Sequence, residues 1–198
     1  MKLNNYKHAL VIGAENLSKS LDWEDRGTCV LFGDGAGAAI LSKSGDLGLM
    51  SSFCKSEGSK YKCITIEGND VDSPFVENKT TRHSKLKMDG GEVFKFATSV
   101  IVSSINKILK ENNLDINDID YIIPHQANLR IIDDAAKKLN ISKDKFYVNL
   151  ESYGNTSAAS VPIAFSEVVE KNLIKKGDKV ILVAFGGGLT WAGILLEW

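Results

Sequence analysis

The 198-residue chain contains no apolar run of membrane-spanning length, which excludes a hydrophobic transmembrane helix. Neither sign of charge is in excess: 24 Lys and Arg face 25 Asp and Glu, for a formal net charge of −1. No global basic field therefore points to nucleic acid, although a local patch can differ from the sum and leaves acidic substrates open. Cysteine is scarce. Cys29, Cys54 and Cys63 are odd in number and form no CxxC, which argues against a disulfide framework or a zinc site and fits reduced thiols. The opening "MKLNNYKHALVIG" lacks the long apolar stretch and small-residue cleavage site of a secretory signal. These absences lead us to expect a cytoplasmic protein with no membrane, nucleic-acid or metal partner.

What remains is the composition of an ordinary globular protein, 43% hydrophobic and 25% charged, long enough for one domain with a well-buried core. "HALVIGAE" (8–15) is a short β-rich run, and "TCVLFGDGAGAAILSKS" (28–44) reads as two strands broken at "GDGAG". Residues 44–92 are rich in Gly, Ser and Lys. They hold one plausible strand, "KYKCITIEG", and the region reads as a functional flap. From Glu92 to Lys110, Val93, Phe96/Ala97, Val100/Ile101, Ser104/Ile105 and Ile108 recur at helical spacing. "DIDYIIPH" reads as a buried strand stopped by Pro124. "QANLRIIDDAAKKLN" follows as an amphipathic helix with Ile132, Ala135, Ala136 and Leu139 inward. "KFYVNL" reads as another strand. "GNTSAASVPIAFSEVVEKNL" reads as a helix with Thr156 or Ser157 as cap candidates and a kink at Pro162. "KVILVAFGGGLTWAGILLEW" reads as strand, glycine turn, strand. Helices alternate with strands, so the class is α/β, with no internal repeat and no clear linker.

Three stretches can carry chemistry. His125 follows a strand end, where open α/β sheets place their ligand crevice; position alone does not separate that role from a structural histidine hydrogen-bonded there. In "SYGNTSAAS" (152–160), Asn155 follows a turn glycine and precedes a small-residue helix start. Alone it reads as a helix cap, and its amide can also donate to a carbonyl oxygen or an enolate. "AFGGGLTW" (184–191) is either a hairpin turn or a backbone donor to an oxyanion. "FGDGAGAA" (32–39) mimics a dinucleotide fingerprint. The following "AAILSKS" looks like a strand rather than the required helix, so we reject nucleotide binding and assign Asp34 to orienting a turn or neighbour. Arg130 and Lys137 are seven apart on one helix face, with Lys138 beside them, and Lys95 lies near the start of the preceding helix. Such residues usually form a solvated face, and they can also receive an acidic carrier.

Together and in this order, "DRGTCVLFGDGAGAAIL", "MDGGEVFKFA", "PHQANLRII", "YGNTSAASVPIA" and "AFGGGLTWAG" resemble the β-ketoacyl-[acyl-carrier-protein] synthase III family of the thiolase superfamily. The resemblance implies an α/β thiolase-like fold built from a duplicated βαβαβαββ unit. Residues 1–90 would hold the end of the first repeat and a flap or linker, and 91–198 the C-terminal repeat. It implies an acyltransferase that condenses an acyl-CoA primer, commonly acetyl-CoA, with malonyl-acyl carrier protein. CO2 and CoA are released and fatty acid synthesis begins. It implies catalytic roles for His125 and Asn155, and an oxyanion-hole N–H from Gly187. It also implies a pantetheine contact at Asn128 and carrier docking by Arg130, Lys95, Lys137 and Lys138. No resident cofactor is implied; the CoA thioester and malonyl-carrier protein are substrates. The "GNTSAAS" run argues for the Cys-His-Asn branch. The family's nucleophilic cysteine lies in the first half, and none of Cys29, Cys54 and Cys63 stands in its motif. We therefore expect a C-terminal portion, inactive without an N-terminal half and homodimeric when complete. A non-catalytic carrier-binding module and an inactive truncated product are the alternatives.

Overall fold

The computed structural model describes residues 6–43, 48–68, 74–75 and 85–198. The chain runs through β1 (His8–Glu15), β2 (Gly35–Ser42), β3 (Gly48–Ser56), β4 (Ile64–Ile66), β5 (Leu86–Met88) and α1 (Gly90–Asn112). It continues through β6 (Tyr121–Pro124), α2 (Leu129–Leu139), α3 (Leu150–Tyr153), α4 (Ser160–Glu170), β7 (Lys179–Gly186) and β8 (Thr190–Glu197). The central sheet has the order β3-β8-β7-β6, in which β6 and β7 run parallel and the other pairs antiparallel. β1 and β2 form a separate antiparallel ribbon, and β4 and β5 a second one.

Side-chain alternation along the strands divides the core in two. Ile122 of β6 and Ile181, Val183 and Phe185 of β7 face a cluster with Ile101, Ile105 and Ile108 of α1 and Ile132 and Ala135 of α2. Their neighbours Ile123 and Val180 point the other way, onto Ala164 and Val168 of α4. Both long helices on the first face have defined ends. Asp89 accepts from the Glu92 N–H to start α1, Asn128 accepts from the Arg130 N–H to start α2, and left-handed Asn113 and Asn140 close them. On the second face, α4 is sandwiched between the sheet and the β1–β2 ribbon. The ribbon can approach because it is made of glycine where it meets α4 and the turn that leads into it. An added Cβ at Gly13 would lie 2.3 Å from the Ala158 carbonyl oxygen, and one at Gly37 would lie 2.9 Å from the Ile163 nitrogen. The ribbon's other face carries Leu10, Ile12 and Ile40, all at least 60% exposed.

Several expectations require correction. The 28–44 segment holds one strand, because residues 28–31 are turns tied to Asp25 and only Phe32 bridges, to Asn155. The strand expected over "KYKCITIEG" shrinks to β4, since residues 58–63 coil into 3₁₀ turns. β3, by contrast, was hidden by its polar composition. It is an edge strand with a bulge between Leu49 and Ser51, and it joins the central sheet from the N-terminal side of residue 91. The rest of the expected flap, at 44–47, 69–73 and 76–84, lies outside the described residues. "KFYVNL" reduces to one bridge, Phe146 to Ile122. Neither Thr156 nor Ser157 caps a helix through its side chain, and Pro162 falls in the first turn of α4, where proline costs little. The strand after "GDGAG" is present as β2, and Asp34 accepts from the Ser18 N–H at 2.8 Å and the Ser18 hydroxyl at 2.5 Å, orienting that loop.

If glycine contact sets the spacing of ribbon and helix, Gly13→Ala should lower stability by about 1–3 kcal/mol through overpacking. Gly58→Ala, with nothing within 4 Å of its Cβ, should leave the urea midpoint near the parental value. Equal midpoints for the two variants would show that the close approach is not a constraint.

Candidate active site

His125 leaves β6 just after Pro124, and its backbone N–H donates to the Val183 oxygen at 2.8 Å, which extends the parallel pairing by one residue. Its ring is fixed from two sides. Nδ1 lies 2.6 Å from Ser160 Oγ, and the Phe185 ring meets it edge-on at a centroid distance of 5.2 Å. The side chain is buried, and no protein partner for Nε2 is found among the described residues. Burial disfavours the imidazolium and pushes the His125 pKa down to about 4. The ring is therefore neutral at pH 7, with one nitrogen donating and the other accepting.

Asn155 is held by its backbone. Its N–H donates to the Leu31 oxygen at 2.9 Å and its carbonyl accepts from the Gly33 N–H at 2.9 Å, after a turn in which Gly154 has φ of 67°. Asn155 Oδ1 accepts from the Ser157 N–H at 2.9 Å. That bond identifies the oxygen and leaves Nδ2, a donor only, without a protein partner among the described residues. Asn155 is not itself a helix N-cap, a position held by Thr156; its oxygen serves the local turn, and the opposite end of the amide keeps its donors. The run into it is tied to α4 by Glu167, whose carboxylate accepts from the Tyr147 and Tyr153 hydroxyls at 2.8 Å and from Asn149 Nδ2 at 3.0 Å.

His125, Asn155, Asn128 and Gly187 all line one cavity of about 1100 Å3. Gly187 sits in the turn between β7 and β8. Its carbonyl accepts from the Thr190 hydroxyl at 3.1 Å, and its N–H has no acceptor among the described residues. Asn128 spends Oδ1 on capping α2 and keeps Nδ2. The basic residues differ among themselves. Lys95 pairs with Glu92 at 2.9 Å, which holds the lysine above its ordinary range, and Lys138 pairs with Asp134 at 2.7 Å. Arg130 lies 5.4 Å over the Phe94 ring, and Lys137 is exposed. Of the cysteines, Cys54 borders the cavity from β3.

Sequence reasoning missed two residues here. Ser160 is the His125 partner, and nothing in "TSAAS" distinguishes its hydroxyl from the other two. Gln126 is 1% exposed and clamps three segments: its amide donates to the Pro124 and Tyr147 carbonyls at 2.9 and 3.1 Å and accepts from the Asn149 N–H at 3.1 Å. Its place beside His125 was a signal, but its contacts are long-range.

A sheet with helices on both faces, with His125, Asn155 and a glycine turn lining one cavity, has the thiolase-like α/β fold. Two profiles match the chain. One, for the C-terminal part of 3-oxoacyl-[acyl-carrier-protein (ACP)] synthase III, takes in residues 109–198, and one for 3-oxoacyl-[acyl-carrier-protein (ACP)] synthase III takes in residues 1–58. The β-ketoacyl-[acyl-carrier-protein] synthase III of Clostridium novyi is 55% identical over all 198 residues, which cover 61% of that relative. The Clostridium acetobutylicum enzyme of the same name is 51% identical, again over all of this chain and 61% of the relative. The crystal structure of the Aquifex aeolicus 3-oxoacyl-[acyl-carrier-protein] synthase III superposes with a TM-score of 0.87 at 41% identity, over 97% of this chain and 58% of that one. The Thermus thermophilus synthase III gives 0.86 at 42% identity, over 97% and 59%. The chain belongs to the β-ketoacyl-[acyl-carrier-protein] synthase III family and spans about three-fifths of the length of the relatives it matches.

The burial of His125 sets its pH response. In the folded chain the ring should titrate near pH 4, followed by its carbon-bound protons in NMR. The unfolded chain takes up this proton near pH 6.5, so stability is full above 6.5 and falls as pH drops towards 4. A folded-state midpoint near 6.5 would mean that the ring is hydrated rather than buried.

Proposed function

We propose that this chain supplies the decarboxylating and oxyanion-holding part of a β-ketoacyl-[acyl-carrier-protein] synthase III site. The observation that carries the reading is the convergence of His125, Asn155 and Gly187 on one cavity, each with a donor or ring nitrogen that has no partner among the described residues. A cysteine thiolate attacks the carbonyl of an acyl-CoA primer, commonly acetyl-CoA, and expels the CoA thiolate. Malonyl-carrier protein then loses CO2. The electron pair of the broken carbon–carbon bond moves into the thioester, and the developing charge on its oxygen is met by His125 and Asn155. Two neutral donors suit this task, since neither has to be charged in a buried site. The enolate carbon attacks the acyl-cysteine, Gly187 N–H helps hold the resulting oxyanion, and collapse returns the thiolate and releases the β-ketoacyl product that starts a fatty acid.

None of Cys29, Cys54 and Cys63 stands in the nucleophile's motif, so we assign the acyl-carrying cysteine to the N-terminal part of the family's fold, outside these 198 residues. The exposed Leu10, Ile12 and Ile40 on the outer face of the β1–β2 ribbon give such a part an apolar surface to cover. The setting we assign is cytoplasmic; no helix among the described residues is long and apolar enough to cross a membrane.

The test pairs this chain with the N-terminal part of the Clostridium novyi relative, its nucleophilic cysteine replaced so that decarboxylation alone is scored. His125→Ala and Asn155→Ala should each cost roughly 2.7–4 kcal/mol of transition-state stabilisation, and the double variant less than the sum. CO2 release from malonyl-carrier protein at the parental rate in both single variants would remove these roles. Carrier docking has its own test. Arg130, stacked on Phe94 and free of an acidic partner among the described residues, should bind the acidic carrier together with Lys137, with Lys95 and Lys138 weakened by their own ion pairs. Arg130→Glu should weaken carrier binding in titration calorimetry, and parental binding should fall with added salt. Unchanged affinity in a folded variant would relocate the docking surface.

A further inference from the structure

We propose that Ser160 is a positioning residue: its hydroxyl donates to His125 Nδ1, holds the proton of the neutral imidazole on Nε2, and so turns a donor towards the cavity. The inference rests on the reading of His125 as a donor to the malonyl thioester oxygen, and it identifies what makes the ring one.

The assignment follows from counting protons. Ser160 Oγ has two partners among the described residues, His125 Nδ1 at 2.6 Å and the Gln126 backbone N–H at 3.3 Å. The backbone N–H can only donate, so it uses a lone pair of the oxygen. The single hydroxyl proton is then free for Nδ1. In the opposite arrangement Nδ1–H would donate as well, and the oxygen would accept twice. Its own proton would have no acceptor among the described residues, in a side chain only 2% exposed. A buried donor without an acceptor is disfavoured. That arrangement would also leave Nε2 as a lone pair facing the cavity, where it would repel an enolate oxygen instead of stabilising it. The ring is placed by the Phe185 contact at 5.2 Å and by the His125 and Gln126 backbone bonds, which fix where the side chain starts. Ser160 is itself the first residue of α4, held at the ribbon by the close approach of Ala158 to Gly13.

The readout is spectroscopic and needs no activity. The full chain has three histidines, and a His8→Gln, His83→Gln background leaves His125 alone. With 15N-labelled histidine at pH 7, long-range proton–nitrogen correlations separate the two neutral tautomers. The expected pattern is Nε2–H in the parental ring, a shift towards Nδ1–H or a mixture in Ser160→Ala, and return of the Nε2–H pattern in Ser160→Thr, which keeps a hydroxyl. A parental ring protonated on Nδ1 overturns the proposal whether or not the variants fold. An unchanged ring in a Ser160→Ala chain with a dispersed backbone spectrum overturns it too. Failure of CO2 release in the paired enzyme would instead count against the catalytic reading of His125 and leave the tautomer assignment standing.

Discussion

The backbone of Ala158 to Ile163 lies against the glycines of the β1–β2 ribbon, and the site depends on that contact. Gly13 and Gly37 leave no room for a side chain against Ala158 or against Pro162 and Ile163, and Gly35 is tight against Thr156 and Ile163. With the ribbon on one side and the central sheet on the other, the start of α4 has one position available. That position brings Ser160 to His125, and Asn155 to the 31–33 segment that fixes its backbone. A motif that looked like a phosphate-binding loop is thus a packing device. Its glycines accommodate a helix rather than a ligand.

The second constraint is electrostatic. His125, buried and with no carboxylate beside it among the described residues, avoids the cost of desolvating a charge by staying neutral. Neutrality gives up the strongest possible electrostatic partner for an enolate. On the proposed reading, the return is a fixed donor that needs no reorganisation as charge develops beside it. The same logic applies to Asn155, whose oxygen is occupied by the Ser157 N–H so that only the NH2 end can meet a substrate. Each residue therefore needs a partner outside the cavity to define its polarity within it: Ser160 for one, the Ser157 backbone for the other.

Much of this architecture was legible in the chain. Apolar pattern located β1, α1, β6, α2, β7 and β8: the helices repeat apolar residues at helical spacing along a buried face, and the strands stand out as short apolar, β-rich runs. β3 was not legible. Its pairing to β8 is set by the partner strand, and "GLMSSFCKS" carries too little apolar alternation to show a buried face. The short bridges at Phe32 and Phe146 were lost or overextended for the same reason, since one bridge residue has no period.

For the site, the sequence by itself determined the reactive residue types and their immediate surroundings: a histidine after a strand-ending proline, an asparagine after a turn glycine, and a glycine turn between two strands. It also determined the charges on α1 and α2. Only the tertiary structure decided which of these groups meet, and with which polarity. His125 and Ser160 are separated by 35 positions and Asn155 and Leu31 by more than a hundred, so no local pattern encodes either contact. The neutral state of His125 also belongs to the fold, because desolvation arises from everything packed around the ring and not from its neighbours in sequence.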